Sequence, residues 1–286
     1  METAENQHAL SPAEIQHTLA SIEIPVCPVL VTQVMAEFQK ESPDLAVATR
    51  LIAADVGMSA FTLKLANSPF FRRGDATNSV AQAVTRLGSR NIVCVVVAAA
   101  LRTSMSSDLS PEFLERFWTQ ASNVATAAGL IARKLRGISS DSAYTYALFH
   151  DAAIPVMMRR FPDYAELVEY AGKNAQDLPP LESKRYRCTH AIVGGLLAKN
   201  WLLPQNIVIA IRHHHDPEAF DPKLNIVSDE VRALIAIAHV AEKLSAEVLG
   251  EAAMETGQLC DLATEYLGLH EDDQQDLRDD LADALL

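Results

Sequence analysis

The sequence is poor in cysteine, in basic charge and in long apolar runs, and each shortage removes a class of protein. Its four cysteines, Cys27, Cys94, Cys188 and Cys260, lie far apart with no C-x-x-C spacing. They suggest neither a disulfide framework nor a thiolate zinc site, and they read as reduced cytosolic thiols. Lys and Arg number 24 against 37 Asp and Glu, a formal net charge of -13. That balance disfavours binding to the phosphate backbone of nucleic acid, and an anionic membrane surface on the same ground. The longest strongly apolar run, Ile92 to Leu101, is far short of the roughly 20 residues that span a bilayer. The start, Met1-Glu2-Thr3-Ala4-Glu5-Asn6, has neither the basic nor the apolar region of a secretory signal. The expectation is a soluble, cytoplasmic protein with no nucleic-acid or membrane partner. Sustained period-two alternation is missing too, as are repeats and low-complexity stretches.

What the sequence does carry is helix. Ser11-Pro12-Ala13-Glu14, Ser42-Pro43-Asp44 and Ser110-Pro111-Glu112 each pair a capping serine with proline at the first helical position and an acid in the first turn. Two short helices are expected around Val56-Gly57, and another from Ser79 that stops at Gly88. Ile92 to Leu101 mixes valine with alanine and reads as a buried helix. A long helix follows from Pro111 to Leu135. The next is expected from Asp141 through His150 to about Arg160, kinked by Pro155. Further helices cover Pro162 to Lys173, Arg187 to Trp201, a short stretch from Pro204 to about His213, and a segment capped by Ser228. Asp177 to Lys184 reads as an internal loop, and the acidic stretch after Gly250 as peripheral helices or frayed ends. The fold class is all-α, with two helical lobes over residues 1–108 and 109–250 and an acidic helical tail over 251–286. The long apolar helix after Pro111 suggests that the lobes share an interface.

The chemistry concentrates in Leu148-Phe149-His150-Asp151, Thr189-His190 and His213-His214-His215-Asp216-Pro217. A His-Asp pair joined by imidazoles from later helices is a pattern that can hold a divalent ion for phosphoester chemistry. A buried carboxylate needs a partner, and nearby imidazoles and helix N–H groups would also serve. Arg72 and Arg73, and separately Lys184, Arg185 and Arg187, are candidates for holding an anionic group. Their alternative is a solvated turn or helix start.

Taken in order, Ile24-Pro25, Leu65-Ala66-Asn67-Ser68-Pro69-Phe70-Phe71, Ala83-Val84-Thr85-Arg86-Leu87-Gly88, Phe117-Trp118-Thr119-Gln120-Ala121-Ser122 and the three histidine segments resemble the HDOD domain, the bacterial HD-related output domain. The resemblance runs over about residues 15 to 245. It implies a two-lobed, multi-helical bundle related to the HD and HD-GYP phosphohydrolases. It also implies a regulatory role in signal transduction, since such domains are regarded as having lost catalysis. Gln120 stands where the hydrolases carry their first metal-binding histidine, and a neutral amide is a poor ligand for a transition metal. His239 stands where they carry a later aspartate, and the Gly-Tyr-Pro signature is absent. The resemblance thus offers His150, Asp151, His190, His214, His215 and His239 as candidate ligands for a divalent metal, Mn, Fe, Zn, Mg or Ni. Gln120 is grouped with the weaker ligand-binding candidates. The expected function is a non-catalytic module that binds a signalling protein or a nucleotide-like ligand. The alternatives are a metal-dependent phosphohydrolase and, third, a helical scaffold without ligand.

Overall fold

The computed structural model describes residues 22–286 apart from 39, 106–107, 175 and 252–256, and every regular element among these residues is helical. The capped start at Ser11-Pro12 lies outside the described residues. Helices α1 (Val29–Phe38), α2 (Leu45–Ala53) and α3 (Val56–Ala66) all pack on α4 (Val80–Ser104). The cap of α2 is Asp44, whose carboxylate accepts from the Ala46 N–H at 2.8 Å, so the helix starts past the Ser42-Pro43 pair. A carboxylate at that position also complements the helix dipole, which a serine cannot. Asp55 caps α3 in the same way, accepting from Met58 N–H at 2.7 Å.

Gly88 does interrupt α4, with φ at 72°, and the two halves meet at 118°. Such a φ is open to glycine at little cost and strained for other residues. Beyond the break, Ile92, Val95, Val96 and Ala98 lose all exposure. A helix that is apolar on every side belongs in a core, which is why strand-prone valines are tolerated there. No single helix among the described residues is long and apolar enough to cross a membrane.

The second half begins with α5 (Pro111–Lys134), where Ser110 Oγ accepts from Phe113 N–H at 3.2 Å and Pro111 occupies the first turn. The expected kinked helix from Asp141 to Arg160 is instead two, α6 (Ser140–Phe149) and α7 (Ile154–Arg160), separated by a turn at His150 to Ala153. Pro155 falls in the first turn of α7, where its missing N–H removes no helical bond. Helices α8 (Tyr164–Lys173), α9 (Leu178–Tyr186), α10 (His190–Asn200) and α11 (Gln205–His213) follow. Asp177 to Lys184 is therefore not a loop: Pro179 and Pro180 sit in the first turn of α9, and Glu182 and Tyr186 on its inner face are buried.

A 3-10 turn at Pro217–Phe220 leads to α12 (Asp229–Leu249), which packs against α5, α6 and α11. Helices α13 (Gln258–Leu267) and α14 (Glu271–Leu285) cover its outer side. One continuous apolar core runs from Ile22 to Leu281.

The extended segment before α1 is pinned to the far half of the chain. Trp201, 1% exposed, donates its Nε1–H to Pro25 O at 2.7 Å, and Arg159 donates to Glu23 O. Trp201→Phe keeps an aromatic ring but strands a buried carbonyl. A loss of about 1–3 kcal/mol is expected in chemical denaturation, and unchanged stability would show that the segment is not held there.

Candidate metal centre

Three helix boundaries bring the histidines together. His150 and Asp151 follow directly on the end of α6, His190 is the first residue of α10, and His214 and His215 follow the end of α11. Thr189 fixes the start of α10 by accepting from Ile192 N–H at 3.2 Å. Gly194 lets α10 and α11 approach closely: a Cβ there would lie 2.8 Å from Ile211 Cγ2.

The hydrogen bonds made by the ring Nδ1 atoms decide which way the lone pairs point. His150 Nδ1 lies 2.7 Å from Ala147 O, and His214 Nδ1 lies 2.6 Å from Ile211 O. A carbonyl only accepts, so both Nδ1 atoms carry hydrogen. His190 Nδ1 donates to Glu182 Oε2 at 2.8 Å, and the same oxygen accepts the His190 backbone N–H at 3.1 Å. Glu182 is fully buried and also accepts from the Tyr164 hydroxyl. Three imidazoles are therefore held from behind with their Nε2 atoms forward.

Those Nε2 atoms converge on Asp151. Oδ1 lies 3.3 Å from His190 Nε2 and 3.5 Å from His214 Nε2, while Oδ2 lies 3.3 Å from His150 Nε2. His215 Nε2 is 2.7 Å from His190 Nε2. Two bare nitrogen lone pairs cannot face each other at that distance, so one nitrogen carries a hydrogen that the other accepts. Among the described residues, Asp151 Oδ1 and His214 Nε2 are buried with no partner in hydrogen-bond geometry, and leaving such groups unpaired costs about 1–3 kcal/mol each. Asp151, His190, His214 and His215 each offer one ligand atom, all within 4.8 Å of one another. A divalent ion fits this donor set and would satisfy both orphaned atoms.

Protons fill the same role when no ion is bound. Burial works against a charge on His150, but the adjacent Asp151 carboxylate outweighs it and raises the imidazole to about 10. His190 is likewise raised to about 10, burial being outweighed by Glu182 and Asp151. Burial and the neighbouring His215 push His214 down to about 3, so it stays neutral. Burial also opposes the charge on Asp151, yet the imidazoles around it, His150 foremost, hold it well below the usual carboxylate range.

The other sequence candidates fall outside this set. His150 stands at its edge, on the second carboxylate oxygen. His239 turns away: its Nε2 donates to His214 O at 2.7 Å, which tethers the turn after α11 to α12. Gln120, partly buried on α5, is not among the four. Arg72 donates to Gly74 O and is exposed, as is Arg73. Lys184, Arg185 and Arg187 are exposed too, and Arg185 is spent on Asp163. Glu182 and Tyr164 were missed by sequence reasoning. So was Glu242, a buried α12 carboxylate that helps to raise His150.

The HDOD domain family matches residues 24–217. An uncharacterised protein of Treponema pallidum (strain Nichols) is 26% identical over 216 residues, 72% of this chain and 41% of that protein. The chain thus spans well under half the length of that relative. Three solved structures, each 20% identical, share the fold. An HDOD domain protein of unknown function from Geobacter sulfurreducens has a TM-score of 0.69, with 95% of this chain and 93% of that one covered. A proposed phosphohydrolase from Shewanella amazonensis SB2B scores 0.65, covering 94% and 97%. A proposed signal transduction protein from Marinobacter aquaeolei VT8 scores 0.69, covering 95% and 63%.

Proposed function

The chain belongs to the HDOD domain family, and from that premise we propose that it is a regulatory signalling module whose His–Asp centre holds one divalent metal ion without turning over substrate. The observation that carries this reading is the gathering of a single donor set around one carboxylate. His190 and His214 are each 1% exposed, and among the described residues one group of candidate ligands is present. Two-metal phosphohydrolases need a second set of ligands. One set of donors gathered on a single carboxylate, with His190 and His214 buried and Asp151 and His215 partly buried, is suited to holding helices α6, α10 and α11 in one arrangement that a partner protein or small ligand reads.

Three imidazoles with one carboxylate favour Zn, Fe or Ni over Mn and Mg, which suit oxygen ligands. When bound, the ion would supply Lewis acidity and a shared charge for the four donors. The protein's own part is to orient those donors: Glu182 and Tyr164 fix His190, Ile211 O fixes His214, and His150 steadies Asp151.

Metal-dependent phosphoester hydrolysis is the second reading. Asp151 favours it, since its side chain keeps 16% exposure and could meet solvent. Metal analysis of protein purified without added metal, together with turnover assays on phosphomonoesters and cyclic dinucleotides, separates the two. Bound transition metal with negligible turnover is expected. Robust hydrolysis that disappears in Asp151→Asn would overturn the regulatory reading.

A further inference from the structure

A second cluster of charge lies away from the histidines, in a cavity of about 430 Å³ between α3, the second half of α4 and the start of α5. Phe61, Ala99 and Leu114 form apolar walls, and Lys64, Arg102 and Glu115 supply the charge. Glu115 is shared: Oε1 takes Lys64 Nζ at 2.8 Å and Oε2 takes the Arg102 guanidinium. These contacts, the hydrogen bond from Lys64 first, hold the Glu115 carboxyl below its ordinary range. Lys64 also donates to Thr119 Oγ1 at 3.2 Å. Arg102 spends a single N–H on Glu115 and lies over the Phe61 ring at 6.0 Å from its centroid.

Two cations against one carboxylate leave this cavity one positive charge in excess, on a chain whose formal net charge is -13. Exposed ion pairs of this kind contribute about 0–1 kcal/mol to a fold, so the cluster is not needed to hold the helices together. Pockets of roughly 300–1,000 Å³ with apolar walls and a few polar groups are the usual form of small-ligand sites. Here the guanidinium N–H groups that have no partner among the described residues suit an oxyanion, and the phenyl ring suits a flat body beside it.

We infer that this cavity binds a small monoanion, a carboxylate or phosphodiester carried on a planar apolar body. The charge count selects a monoanion, because one negative charge neutralises the site and a second would be repelled by Glu115. Arg102 near the end of α4 and Glu115 near the start of α5 flank the connection between the two halves of the chain. An occupied cavity would therefore tie α3 and α4 to α5. The inference names the ligand class for the regulatory reading and rests on it for its biological consequence, while binding is testable by itself.

Calorimetric titration of the full chain with benzoate, with cyclic AMP and with neutral adenosine tests it. At least one of the two anions should bind saturably, one molecule per chain, and adenosine should not. Binding of cyclic AMP alone assigns a phosphodiester, and of benzoate alone a carboxylate. Arg102→Gln and Lys64→Gln should each weaken binding by about tenfold or more, and Glu115→Gln should tighten it by freeing donors. These side chains are 31–54% exposed, so the variants should fold. No binding of either anion, or parent-like binding by both cation variants, overturns the assignment. Asp151→Asn should leave this binding unchanged. Anion binding in a protein that also proves to be a hydrolase would keep the site and discard the regulatory reading.

Discussion

The Asp151→Asn protein is expected to fold and to bind a divalent transition metal roughly a hundredfold or more weakly than its parent. Asparagine matches the shape of the carboxylate but removes the one negative charge on which the imidazole Nε2 atoms converge. Its amide can also donate to His214 Nε2, which relieves in the metal-free state the orphaned atom that a metal would otherwise satisfy. Glu182→Gln should fall between the two proteins, with a loss of about ten- to hundredfold, because groups that orient a histidine ligand from behind carry effects of that size. Glutamine leaves His190 a weaker acceptor at Nδ1, and its amide end competes for the Tyr164 hydroxyl. Competition titration against a chromophoric chelator, with circular dichroism to verify folding, measures both variants. Parent-like affinity in Asp151→Asn would remove the metal centre.

The same centre sets the sign of a pH effect. Without metal, His150 and His190 are raised to about 10 and hold protons at neutral pH. An ion that takes His190 Nε2 must displace a proton, so affinity should climb as pH rises through the neutral range toward that value. Titration in buffers of different ionisation enthalpy should report proton release on binding.

The His–Asp cluster was legible as a candidate because its members sit in recognisable segments: a His-Asp pair inside an apolar run, and histidines at helix boundaries marked by Thr189 and by Asp216-Pro217. The direction of each ring was not legible. His239 occupies a position that the family order assigns to a ligand, yet packing of α12 against the end of α11 points its Nε2 at a carbonyl. Spacing along a chain says which face of a helix a residue occupies and nothing about its χ angles. Glu182 was hidden for a different reason. Pro179-Pro180 reads as a loop unless the prolines fall in a first turn, and only the resulting helix places Leu178, Glu182 and Tyr186 on one face. The break at His150 to Ala153 was likewise masked by continuous apolar character on both sides. It has a functional consequence: a helix running through would carry Asp151 around its axis, whereas the turn leaves it facing α10 and α11.

Gly129→Ala and Gly172→Ala are the same substitution in two helices and are expected to shift stability in opposite directions. In an open helix, alanine gains up to about 1 kcal/mol over glycine. Gly172 on α8 meets that condition, since a Cβ there has nothing within 4 Å. At Gly129 on α5 the new methyl would overlap Phe70 Cε2 and lie 2.7 Å from Cδ2. The ring cannot swing aside. It stacks on Tyr144 with centroids 4.9 Å apart, meets Phe71 edge-on at 4.6 Å, and carries the Arg133 guanidinium 4.1 Å from its centroid. Arg133 in turn donates to Phe70 O at 2.9 Å, so backbone and ring are both fixed. Overpacking of this kind costs about 1–3 kcal/mol and at times more, which exceeds the helix-propensity gain. The Gly129→Ala protein should therefore melt several degrees lower and the Gly172→Ala protein slightly higher. Phe70→Leu combined with Gly129→Ala should recover part of the loss, because the shorter side chain vacates the space the methyl needs. Equal shifts in the two single variants, or no coupling in the double variant, would mean that α5 does not close on Phe70 as tightly as the core packing requires.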